Sequence, residues 1–185
     1  MNKPPKPGKK IVFEALPRTG SLSLVDSLYR HYGKKKIYSI KKNEQNLIPS
    51  DAIIAHGHRA GYWLKKPEDY VYFTLLRKPE SQVISVFNSL SRQLKRKHFW
   101  RIRLQHKGIG YYMNQLKFKM FDNLMVRRIS GNYYTPFGCI GQSHLEQAID
   151  AIKRKYFFIG FTDEFELSLL ELKKLLGWRE NQLPF

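Results

Sequence analysis

Cysteine, acidic residues and long apolar runs are all scarce in this chain. Cys139 is the single cysteine among 185 residues, which excludes an internal disulfide and a metal cluster of the CxxC type, so no metal is expected. No stretch approaches the roughly 18–20 apolar residues of a membrane-spanning helix. The opening residues 1–10 carry lysine and proline but no apolar core of a signal peptide. The chain therefore reads as soluble and without a visible address, the cytoplasm being the expected compartment unless an anchor lies outside this sequence. The loop pattern GxxxxGK[ST] is missing, which counts against an ATPase or GTPase, and GxGxxG is missing too, which removes the dinucleotide-fold fingerprint.

The shortage of acid is the strongest compositional feature. Fifteen Asp plus Glu stand against thirty-three Lys plus Arg, a formal net charge of +18. Such a field concentrates anions at the surface and implies an acidic partner. Charge alone does not separate nucleic acid, anionic membrane, acidic polysaccharide and a phosphorylated nucleotide. From Ser81 through Phe121 there is no acidic residue at all, while Arg92, Arg96, Arg101 and Arg103 alternate with lysines and with Phe99, Trp100, Tyr111 and Tyr112. Aromatic faces stack on sugars and arginines pair with carboxylate or sulfate, so these four arginines are candidate contacts for an acidic acceptor. A solvated basic helix is the plainer account of the same stretch.

What is present is the composition of a folded protein, 42% hydrophobic with abundant Phe and Tyr. Residues 1–10 read as a flexible basic tail and 11–185 as one domain, with a helix and loop insertion at about 91–112. Strands are expected over 11–15, 36–40, 52–55, 70–76 and 156–160. Helices are expected over 21–32, 79–90, 114–129, 144–154 and 164–176. Alternating strands and helices predict an α/β fold with a mainly parallel central sheet flanked by helices.

Two places carry candidate chemistry. After the first strand the chain runs Leu16-Pro17-Arg18-Thr19-Gly20-Ser21-Leu22-Ser23 into a helix. A turn there gathers backbone N–H groups at the positive end of the helix dipole, which suits a phosphate. Gly20 permits close approach, Thr19, Ser21 and Ser23 offer hydroxyls, and Arg18 offers a planar cation. A helix start capped by Thr19 or Ser21 is the ligand-free alternative. At the end of the 70–76 strand stands Arg77, followed eight residues later by Ser85 on the next helix, a pair able to hold a second phosphate. A surface arginine and an unrelated serine would look the same.

The order of these pieces is what gives them meaning. The string from Leu16 to Leu24 resembles the 5′-phosphosulfate loop of sulfotransferases, and Tyr72 to Pro79 with Ser85 is similar to their 3′-phosphate motif. Between the two, Ala55-His56-Gly57-His58 resembles the His-Gly-His segment of the heparan sulfate and uronyl 2-O-sulfotransferase branch. The segments 123–131 and 158–165 follow in the family's order. The resemblance implies a P-loop-like sulfotransferase fold and a donor, 3′-phosphoadenosine 5′-phosphosulfate (PAPS), with the bisphosphate PAP as product. It implies a carbohydrate hydroxyl as acceptor, in keeping with an acidic glycan. Arg18 with the loop from Thr19 to Ser23 would bind the 5′ end, Arg77 and Ser85 the 3′-phosphate, and His58 or His56 would take the acceptor proton. Arg18 stands where the glycosaminoglycan enzymes usually have lysine; it keeps the charge but cannot donate a proton. The competing expectation is a nucleic-acid or polyanion-binding protein on the same fold without catalysis.

Overall fold

The structure, a computed structural model, describes residues 2–5, 8–42, 46–96, 108–114 and 117–178. The backbone gathers into two compact units, Met1–Leu76 with Ile149–Phe185, and Arg77–Ala148.

The first unit is built on a five-stranded, all-parallel sheet: β1 (Lys10–Glu14), β2 (Ile37–Ser39), β3 (Ile54–Gly57), β4 (Tyr70–Leu76) and β5 (Tyr156–Phe161), in the order β2-β3-β1-β4-β5. Parallel strands buried on both faces need near-continuous apolar runs, and Val12, Phe13, Ile54, Ala55, Phe73, Leu75 and Phe158 supply them. One face of the sheet packs under helix α1 (Ser21–Tyr32), through Leu24, Val25 and Leu28, and under a C-terminal helix, Phe165–Leu175, through Leu172. The other face buries Val12, Ala55 and Tyr72 with Ala60 and Leu64, from and beside the single-turn helix α2 (Ala60–Trp63). The expected α/β class and parallel sheet are thus observed. No helix among the described residues is long and apolar enough to cross a membrane.

Strand β5 ends against the C-terminal helix at unusually close range. An added Cβ at Gly160 would meet Ser168 Cβ at 2.7 Å and Leu75 Cδ2 at 2.8 Å. Glycine is therefore what lets that helix lie on the strand, where Ser168 Oγ accepts a hydrogen bond from the Phe161 N–H at 2.8 Å. Gly160→Ala is expected to destabilise the fold by about 1–3 kcal/mol through overpacking. A lowered midpoint in a thermal melt checks it.

The second unit carries α3 (Pro79–Arg96), α4 (Ile109–Asn114), α5 (Leu124–Ile129) and the start of α6 (Gln142–Lys155); the Phe165–Leu175 helix of the first unit is α7. Its small core joins Val86 and Phe121 to Val83, Phe87, Leu90 and Met113. Two expectations are corrected here. Helix α3 runs six residues past the expected stop at residue 90, and the single helix expected over 114–129 is broken. Lys117 (φ 44°) and Asn123 (φ 49°) adopt the left-handed conformation, which ends a right-handed helix, so among the described residues of that span Asn114 closes α4 and Leu124–Ile129 forms a separate helix. Half of the expected 91–112 insertion, residues 97–107, lies outside the described residues.

The break has a physical organiser. Arg127 is 1% exposed, and its guanidinium reaches the carbonyls of Asp122, Thr135 and Pro136 and the carboxylate of Asp122. Asp122 Oδ2 also accepts from the Gly138 N–H at 2.9 Å. Burial raises the Asp122 carboxyl. The Arg127 and Gly138 hydrogen bonds, the Arg127 charge and the Asn123 amide outweigh it and hold the pKa below the ordinary value. A satisfied buried arginine of this kind ties the turn at 131–138 back to α5.

Candidate functional site

Between β1 and α1 the chain makes a tight turn with two left-handed residues, Arg18 (φ 67°) and Gly20 (φ 73°). Arginine in that conformation stores about 1–3 kcal/mol of strain, which the surroundings must offset. They do so through hydroxyls: Thr19 Oγ1 and Ser21 Oγ both donate to the Leu16 carbonyl, at 2.9 and 3.0 Å. Thr19 is fully buried. Both hydroxyls thus serve the loop's own backbone. Neither caps the helix: Gly20 is the N-cap residue of α1, with no side-chain hydrogen bond closing it. The alternative of a helix start capped by Thr19 or Ser21 is corrected accordingly. Ser23 is exposed and Leu22 is 83% exposed, so at those positions the backbone amides of the first turn are what a ligand would meet.

A residue that sequence reasoning passed over holds this turn from outside. Thr162, just beyond β5, has its Oγ1 at 2.9 Å from the Thr19 carbonyl and 3.0 Å from the Leu76 carbonyl, sharing one proton between them. Its methyl group and the ring of Phe165 lie 3.4–3.5 Å from where a Gly20 Cβ would be. The only sequence signal for it was its place within the 158–165 segment. Thr162 ties the turn after β1 to the end of β4.

The two histidines separate sharply. His56 lies within β3, half-buried under α1, and its Nε2 is in a 3.1 Å hydrogen bond with the Tyr29 hydroxyl. Burial, then the neighbouring His58, lower its pKa, so the ring is neutral at pH 7. His58 comes after the strand has ended at Gly57, in an exposed turn. Its Nδ1 hydrogen-bonds the Ala15 carbonyl. A carbonyl only accepts, so Nδ1 carries the proton, and in the neutral ring Nε2 carries the lone pair. The register Glu14↔Gly57 sets this turn next to the one after β1.

Glu14 is the second residue that sequence reasoning missed, although an acid closing an otherwise apolar strand is a signal. It is 2% exposed, and its Oε2 accepts the Gly61 N–H at 3.1 Å. Its own carbonyl accepts from Thr74 Oγ1 at 2.7 Å. The turn bearing His58 is therefore held on one side by Ala15 and on the other by Glu14. The neighbouring Tyr72 hydroxyl, which donates to the Pro67 carbonyl at 2.8 Å, is raised in pKa by burial first and by the Glu14 charge second.

The remaining candidates are placed as follows. Arg77 directly follows the last residue of β4, and Ser85 lies half-buried on α3. Arg92 is exposed on α3, its Nε donating to the Asn88 carbonyl at 3.2 Å, and Arg96 is the last residue of that helix. Arg101 and Arg103 lie outside the described residues. The structure thus brings Arg18, the first turn of α1, His58 and His56 to the carboxyl ends of two adjacent central strands, the edge where open parallel sheets bind ligands. Chemically, a lone pair on an exposed imidazole stands beside an anion-receptive turn. Comparison with models of known families finds no match, and comparison with curated proteins finds none either.

Proposed function

We propose that this chain is a sulfotransferase that moves the sulfuryl group of PAPS to a carbohydrate hydroxyl, the acceptor being an acidic glycan. The observation that carries the reading is the contact of His58 Nδ1 with the Ala15 carbonyl at the root of the Arg18 turn, which leaves Nε2 to act as a base. The acceptor oxygen bonds to sulfur while the bond from sulfur to the 5′-phosphate oxygen breaks and its electron pair leaves with PAP. The hydroxyl proton passes to His58 Nε2 and then to solvent. Charge on the leaving phosphate is met by Arg18 and the first-turn amides of α1, fixed donors of the type that stabilise such transfers. By the resemblance, Arg77 and Ser85 hold the 3′-phosphate. The net charge of +18 supports an anionic acceptor.

His56 has a different part on this reading. Its Nε2 is engaged by Tyr29, so it anchors β3 to α1 rather than accepting the proton. Arg18 is the test of the nucleotide site. A hydrogen bond to a charged group contributes about 1.5–3 kcal/mol, so Arg18→Ala should weaken PAP binding roughly tenfold to a hundredfold in calorimetry. Unchanged affinity in that variant would remove the turn from the nucleotide site.

A further inference from the structure

Strand β5 is the outer strand of the sheet, so half of its backbone groups face away from β4 and could pair with another chain. In a parallel ladder alternate residues turn both groups to the same side. The outward groups of β5 that have partners are met from within the chain. Lys3 N–H donates to the Phe157 carbonyl at 3.0 Å, and Asn2 Oδ1 accepts the Ile159 N–H at 3.1 Å. The Asn2 amide continues to Glu171 Oε2 of α7 at 3.1 Å. At Phe161, Ser168 Oγ accepts from the N–H and lies 3.1 Å from the carbonyl.

This pairing cannot spread outward. One of its two contacts to β5 is a side chain rather than a strand backbone, and Pro4 and Pro5 follow, which have no N–H to offer a further strand. Beside it lies a pocket of about 570 Å³ lined by Asn2, Ile159, Phe161, Glu171, Lys174 and Leu175, apolar on its strand side. Phe161 is 49% exposed and Leu170 of α7 is 47% exposed. A paired strand would cover that apolar surface.

We infer that Asn2 and Lys3 form a strap that blocks the β5 edge, and that without it this edge pairs with the β5 edge of a second copy. The inference is independent of the proposed chemistry. The experiment compares the intact chain with a variant lacking residues 2–5, by sedimentation velocity over a hundredfold concentration range, with far-UV circular dichroism as a check on folding. The expected result is a concentration-dependent dimer that the intact chain does not form, abolished again by adding Ile159→Lys. Identical sedimentation of the two folded proteins overturns the inference. Should the shortened chain not fold, Asn2→Ala with Lys3→Pro removes both strap contacts at full length. In that variant the same dimer is expected at high concentration, and at low concentration, where the copies are apart, at least tenfold faster hydrogen exchange at the Ile159 amide. A monomer with unchanged exchange there overturns it.

Discussion

His58→Ala is expected, on the proposed function, to lower the rate of sulfuryl transfer by about 10²–10⁴ while leaving PAP affinity within a factor of two, because on that reading the imidazole acts on the acceptor proton and not on the nucleotide. The structure gives the reason to choose this histidine. His58 sits in an exposed turn with Nδ1 fixed by Ala15, whereas His56 Nε2 is held by Tyr29 under α1. His58→Asn is an informative companion: its amide nitrogen stands close to the place of Nδ1 and can keep the bond to the Ala15 carbonyl but cannot take a proton at neutral pH. Loss of turnover in both variants, with melting temperatures close to that of the native chain, assigns a base. Turnover restored in the asparagine variant would instead make His58 a positioning residue. Initial rates at saturating donor, with PAP titrations beside them, separate the two outcomes.

The largest expected effect on stability is at Arg127. Replacing it by alanine leaves the buried Asp122 carboxylate without its cation and strands the carbonyls of Thr135 and Pro136. Breaking a buried pair from one side typically costs about 3–5 kcal/mol. The sign of the pH dependence follows from the lowered pKa of Asp122. In the unfolded chain the carboxyl titrates near its ordinary value of 3.8, and in the folded chain below it. The pair's contribution is therefore fully present above the unfolded value and is lost as pH falls through the folded one. Urea titrations of the native chain from pH 6 to pH 2 should show that loss on the acid limb. In Arg127→Ala, stability at pH 6 should already be low and this part of the acid limb should flatten.

Much of the first unit could be read from pattern alone. The spacing of Leu22, Val25, Leu28 and Tyr29 marks α1 within its observed limits, although Leu22 is exposed and Leu24 takes its place in the core, and the β-prone run from Tyr70 to Leu76 marks β4. Such elements are legible because each buries a face whose period is local. The second unit was read less well. An arginine five residues after an aspartate looks like a helix surface. Only the left-handed Asn123 and the return of the chain at Thr135 and Pro136 turn the pair inward. The site was legible in its residue types but not in their division of labour. The i, i+2 spacing of His56 and His58 treats them alike; where β3 stops tells them apart. Thr19 and Ser21 offered hydroxyls that the fold uses for its own turn, and Thr162 and Glu14 act through long-range contacts that no periodicity records.

On the proposed function the turn after β1 receives the 5′ end of a PAPS-type nucleotide. Calorimetric titration of the intact chain with PAP, beside ATP and a random DNA duplex at the same moderate salt, tests it most directly. PAP is expected to bind well ahead of the other two, and Arg18→Ala is expected to weaken PAP alone. Equal binding of all three, or duplex binding that outlasts the loss of Arg18, would contradict it and leave a polyanion-binding protein.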